Sequence, residues 1–173
     1  DPRYESTQED LESQYNYLLA VRDKLTETHQ AIKLIRVYRT ELDSLTTKPE
    51  NLDQIKAEMQ EIEETLYQTQ NRSGQDPLNF PIRLNNQFSS LLSFVSSGER
   101  RPPKQAYDVL TVLNPKLDLQ MARMERIIAA DLPKINAMLK AAGLPEITRN
   151  KIEKGGPGAA QPVFVPDETT GFD

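Results

Sequence analysis

Between Lys104 and Gly143 the chain reads KQAYDVLTVLNPKLDLQMARMERIIAADLPKINAMLKAAG, and this stretch decides the fold. Ala106, Leu110, Leu113, Leu117, Met121, Met124, Ile128, Leu132, Ile135 and Leu139 recur at steps of three or four residues, the spacing of one helical face. At 1.5 Å per residue such a helix extends for about 60 Å, far beyond an average globular helix, and so needs a partner of similar length. Pro115 and Pro133 each remove a backbone donor and crowd the carbonyl four residues back, but the stripe keeps its phase across both. One bent helix is expected rather than three separate ones. Gly143, followed by Leu144-Pro145, reads as its C-terminal cap.

The matching partner lies at the other end of the chain. Leu11, Leu18, Leu25 and Ile32 recur every seven residues, interleaved with Val21, Ile35 and Leu42, as in a coiled-coil-like helix from Gln8 to Leu45. Thr28 and Arg39 weaken this seam, and Tyr15, Tyr38 and Leu45 widen it. Ser6 and Glu9 have capping-box spacing, placing the helix start near Thr7. The two long helices are expected to form an antiparallel pair.

Between them, Thr47 with Glu50 or Asn51 with Gln54 can cap a second helix carrying Leu52, Ile55, Met59, Ile62 and Leu66 and ending near Gln70. Residues 71–80, with Ser73-Gly74 and Asp76-Pro77, have the chemistry of a loop. Pro81 suits the first turn of a third helix bearing Leu84, Phe88, Leu91, Leu92 and Val95, with Gly98 placed to end it. The class is therefore all-α, an elongated antiparallel bundle of two long helices plus a shorter helical hairpin. Stacking helices 2 and 3 end to end, as one leg of a three-helix bundle, is the alternative that the pattern leaves open. Residues 1–147 form the bundle. Residues 148–173, with Gly155-Gly156-Pro157-Gly158, are expected to be a Gly/Pro-rich flexible tail, in which Val163-Phe164-Val165 is a β-prone run suited to docking.

Composition narrows the function. Apolar residues make up 37% of the 173 and charged residues 27%, which suits an elongated body with much surface to solvate. The net charge of -5, with Lys and Arg scattered among Asp and Glu, argues against nucleic acid as a partner. No stretch approaches the ~20 apolar residues of a membrane span. Cysteine is absent, which excludes disulfides and thiolate metal sites. Asp1 in place of an initiator methionine reads as the start of a processed or excised piece.

No residue set for catalysis emerges. His29 lacks a nucleophile or metal-ligating companions in sequence, and Thr26 occupies the position where a Glu-x-x-His di-iron motif needs glutamate. Glu61, Glu63 and Glu64 crowd one helical turn without a calcium loop, so a solvated face is expected. Met121, Met124 and Met138 fall on or beside the core stripe. No catalytic, cofactor-binding or metal-binding residue is assigned, and no cofactor. Candidate interface residues are Tyr17, Tyr67 and Tyr107, which fall with Tyr4 off or at the edge of the stripes, the Arg100-Arg101 connector, and Phe164 of the tail.

Three stretches carry a resemblance: DPRYESTQEDLESQY at 1–15, PLNFPIRLNNQF at 77–88 and DLPKINAMLKAAGLPEI at 131–147. They resemble the helical C-terminal region of Bacteroidetes-type BNR/Asp-box repeat glycosyl hydrolase-like proteins with sialidase- or sortilin-like β-propellers, over about residues 1–147. The resemblance implies an extracytoplasmic location, periplasmic, cell-surface or secreted. It further implies an accessory role beside preceding β-domains of the same parent chain. The Asp-box pattern and the sialidase arginine triad have no counterparts here, so no functional residue carries over. The expected function is a non-catalytic structural or protein-interaction module whose partner is protein. The alternative is a self-contained helical adaptor or oligomerisation protein, and homo-oligomers are compatible with either.

Overall fold

The computed structural model describes residues 5–45 and 51–147. Within them the chain is all-α, with no strand among the described residues. Its helices are α1 (Gln8–Asp43), α2 (Leu52–Leu66), α3 (Leu84–Ser96), α4 (Lys104–Arg126) and α5 (Leu132–Ala141). A short 3-10 turn, Asp76–Leu78, interrupts the α2–α3 connection, and a π turn, Ile127–Asp131, joins α4 to α5.

Side-chain pairs across the helices set the topology. Arg36 meets Glu63 and Asp43 meets Lys56, so α2 runs antiparallel along the second half of α1. Gln14 reaches Val95, while Ser6 reaches Glu99, so α3 runs antiparallel along the first half. Helices α2 and α3 therefore stack end to end as one leg and do not form a hairpin. Numbers rise together from Tyr17 with Ala106 to Lys24 with Asp118. The long helices α1 and α4 are consequently parallel, and each is antiparallel to the α2–α3 leg.

The expected antiparallel long pair and the hairpin are both corrected by this three-helix, up-down-up bundle. The physical reason is that two short helices in line span the full length of α1, whereas a hairpin leaves half of each long apolar stripe uncovered. One continuous core results, running from Tyr17 and Val95 through Leu117 and Met124 to Leu42, Leu52 and Ile135.

Local chemistry explains where the elements begin and end. The cap of α1 is Thr7, whose hydroxyl accepts from the Asp10 amide while the Asp10 carboxylate accepts from the Thr7 amide. The capping box is thus Thr7/Asp10 and not Ser6/Glu9, and the Ser6 hydroxyl donates instead to the Glu99 carbonyl. Helix α2 stops at Leu66 because Tyr67 turns extended, and the Gln68 amide then donates to the Pro81 carbonyl at 2.8 Å, tying the two short helices together. Pro81 lies ahead of α3, which is led in by extended Arg83, and α3 ends at Ser96, capped by Ser97, before reaching Gly98.

Pro133 sits in the first turn of α5, immediately after the π turn, where the Leu132 amide bonds to the Ile127 carbonyl five residues back. The wider turn accommodates the proline ring and adds one residue to the helical count. Buried positions accordingly step from Met124 to Ile127, then by five to Leu132, before Ile135 and Leu139. Leu110, Met121 and Ile128 are partly buried at the edge. Gly143, at φ +72, closes α5 with Gly143 N–H on the Lys140 carbonyl at 3.1 Å and Leu144 N–H on the Leu139 carbonyl at 2.9 Å, a Schellman cap. Asn136 then holds Ile147 by two 2.9 Å bonds to its backbone.

Candidate functional site

The features that stand out from the helical scaffold are the polar links between helices. In the half of the bundle formed by the start of α1, α3 and the start of α4, the buried links are neutral. The Gln14 amide donates to the carbonyls of Val95 (2.7 Å) and Gly98 (2.5 Å), satisfying acceptors at the end of α3. The Tyr17 hydroxyl donates to the Ala106 carbonyl at 2.9 Å, and its ring meets Tyr107 edge to face, with centroids 4.9 Å apart. Burial, and next the Tyr107 hydroxyl nearby, push Tyr17 up to about 12. An exposed charged link closes this end, where Arg101 bonds Glu9 and Asp10 at 2.6 Å each. The Asp10 carboxyl is held low first by its bonds to Thr7 and then by that to Arg101.

In the other half the links are charged. Glu63, with only 5% of its side chain exposed, accepts from Arg36 at 2.7 Å and from Arg39 at 2.8 Å, joining α2 to α1. The Arg36 guanidinium also lies over the Tyr67 ring, 5.1 Å from its centroid. On the opposite flank of α2, Glu58 accepts from Arg123 and Arg126 of α4, and Arg123 reaches Glu61 at 2.9 Å. The bond from Arg126 depresses the Glu58 carboxyl against the opposing effect of its partial burial, and Arg123 adds to it.

The proposed interface residues separate in this arrangement. Tyr17 is 3% exposed and belongs to the core, which corrects the expectation of a partly exposed side chain; its ring fills the α1–α4 seam because its hydroxyl finds a backbone acceptor there. Tyr107 is 42% exposed beside it. Tyr67 is exposed too, but lies beneath Arg36 in the middle of the molecule, away from the Tyr17–Tyr107 pair. Arg101 is tied to α1, while Arg100 is exposed with no ion pair among the described residues. Phe164 and Tyr4 lie outside the described residues.

His29 is exposed on α1, and partial desolvation, with Lys33 adding its charge, pushes its pKa down. The acidic run is not one solvated face, since Glu63 turns inward to Arg36 and Arg39, Glu61 pairs with Arg123, and Glu64 accepts from Gln60. Among the described residues no group of three or more His, Asp or Glu side chains is placed to hold a metal ion. Met124 is in the core, whereas Met138 is exposed.

Sequence reasoning passed over Gln14, Glu58 and the arginines that meet the α2 glutamates. It also passed over an exposed apolar row on α4 comprising Val109, Val112 and Leu119. That row was visible in principle, because its steps of three and seven residues fall off the main stripe at helical spacing. Comparison with protein-family models, curated proteins and solved structures returned no match.

Proposed function

We propose that the chain is a non-catalytic structural and protein-interaction module, the C-terminal helical part of a propeller-containing, glycosyl hydrolase-like secreted protein. It would act as a stiff spacer packed against preceding β-domains. The observation that carries this reading is the use of the polar side chains: Glu58, Glu61, Glu63 and their arginines, like Gln14 and Tyr17, link helix to helix and so brace a long body. Such links convert three helices into a rod whose two ends keep a defined separation. Support for its setting comes from the resemblance of the stretches at 1–15, 77–88 and 131–147.

The test is the intact mass of the native polypeptide, detected with an antibody to this segment. A mass well above that of this chain agrees with a module of a larger protein, and Tyr107→Ser in that parent should then weaken domain association while leaving helicity unchanged. A mass equal to that of the chain overturns the reading. The incompletely buried heptad row Leu11, Leu18 and Leu25 of α1 favours a second reading, an adaptor or oligomerising protein acting alone. A concentration-dependent dimer in sedimentation would support it.

A further inference from the structure

The flank of α4 that carries Val109, Val112, Lys116 and Leu119 continues at the same helical steps to Arg123 and Arg126, which bond α2. The later part of this flank therefore meets α2, and its first part, left exposed, runs on the side of α4 nearer α3. Ser96 closes α3 and Lys104 opens α4 across one short connector, so residues equally distant from that connector share a level. By this count half-exposed Phe94 stands level with Ala106, and Arg83 level with Leu117, next to Lys116. The result is an open apolar strip along the α3–α4 groove, about 15 Å long from Val109 to Leu119. Val112 and Leu119 are 57% and 60% exposed on it. Lys116 lies on the strip and has no ion pair among the described residues, and Arg83, at the neighbouring level on the α3 side, has a buried Nε without a hydrogen-bond partner.

Size and charge select the occupant. The strip offers on the order of 400 Å², about half of the ~800 Å² per partner of a stable protein interface, so a second copy would gain too little from it. A short tethered segment needs less, because the tether supplies a high effective concentration. Such a segment is present in the sequence: Val163-Phe164-Val165 is apolar and is followed by Asp167-Glu168, acidic where Lys116 and Arg83 are cationic. Reach agrees as well. Asn136 fixes Ile147 at a point about 25 Å along the helix from Leu119. A linker with the Gly-rich composition and length of residues 148–162 has a root-mean-square span of about 22 Å.

We propose that Val163-Phe164-Val165 of the same chain occupies the Val109–Val112–Leu119 strip, with Asp167 and Glu168 toward Lys116 and Arg83. The inference concerns the chain by itself and stands whether or not a larger parent exists.

The chain has no cysteine, so Thr169→Cys in the full 173 residues can carry a nitroxide as its only label. Expected is loss of the Val109, Val112 and Leu119 methyl signals relative to the reduced label, unchanged on dilution. Phe164→Ser, which leaves every bundle residue intact, should restore those signals, and Lys116→Glu should restore them in part. Retention of the strip signals with the label active would overturn the proposal, as would their loss in Phe164→Ser. Broadening that vanishes on dilution would assign the strip to a second copy and overturn it equally.

Discussion

The two halves of the bundle are held by different chemistry. Around α3 the buried links are neutral donors on backbone carbonyls, Gln14 on Val95 and Gly98 and Tyr17 on Ala106, and the charged pairs of Arg101 with Glu9 and Asp10 lie exposed at the end. Around α2 they are joined by carboxylates shared between arginines, Glu63 with Arg36 and Arg39 and Glu58 with Arg123 and Arg126. A neutral bond to a carbonyl is insensitive to salt and acid but fails when its phenol ionises, whereas a carboxylate pair weakens with salt and is lost on protonation. One core runs through both halves, so the molecule should respond to perturbation of either half as one unit.

The largest effect should come from emptying the core in each half. Phe88 and Ile62 are both fully buried, one on α3 and one on α2. Truncation to alanine should cost about 3–5 kcal/mol for Phe88 and about 2–5 kcal/mol for Ile62. Denaturant unfolding followed by helicity should shift as a single transition in both variants if the continuous core couples the halves. Two transitions, with only one displaced, would break the coupling.

Next in size are the links themselves. Glu63→Gln should destabilise by about 2 kcal/mol, since it withdraws the charge from two charge-assisted bonds, although half-exposed Arg36 can recover water. Tyr17→Phe removes one neutral bond and should cost about 1 kcal/mol. Raising salt should shrink the first difference and leave the second unchanged. Equal salt dependence would erase the distinction between the halves.

The pH responses should run in opposite directions. Glu58 is depressed below its ordinary 4.5 by Arg126 and Arg123, so its contribution is complete above that value and is lost as pH falls through the lower folded value. Tyr17, pushed up to about 12, is stabilising in its neutral form; that contribution is complete below the ordinary 10 and disappears as pH rises toward 12. Thermal melts should therefore show Glu58→Gln flattening the acid limb and Tyr17→Phe flattening the alkaline limb. An alkaline limb that is unchanged in Tyr17→Phe would detach the phenol from the stability of its half.

The smallest expected change is at the end of α5. An alanine Cβ at Gly143 would meet nothing within 4 Å, so Gly143→Ala should cost about 1 kcal/mol, for the left-handed backbone alone. A much larger loss would mean that the cap supports more than its own helix.

Periodicity made the long helices legible, and with them the cap at Gly143 and the continuity of the bent helix through Pro115 and Pro133. Those features are local: they depend on residues within one or two turns. The seam of α1 was legible only approximately. The heptad row of Leu11, Leu18 and Leu25 lies on its edge, while Val21, Thr28, Ile35 and Leu42 form its centre. Thr28 can take a central position because its hydroxyl donates to the Lys24 carbonyl at 2.7 Å, which no apolar count registers. Among candidate site residues, Tyr107, placed off the apolar stripes, and Arg100, placed in a connector, are exposed. Tyr17 was misread because an edge position on a helical projection does not reveal whether a neighbouring backbone offers an acceptor.

Composition and periodicity settle the all-α class of this protein and the existence of its helices, with the ends of the short helices and the centre of the α1 face displaced by a few residues, since propensity, capping and hydrophobic spacing act locally. Only the tertiary structure decided that α1 and α4 run parallel, that α2 and α3 share one leg, and that Glu63 and Tyr17 are interior. Those outcomes depend on which arrangement covers two stripes about 55 Å long at once, a condition set by all the helices together and written in none of them singly.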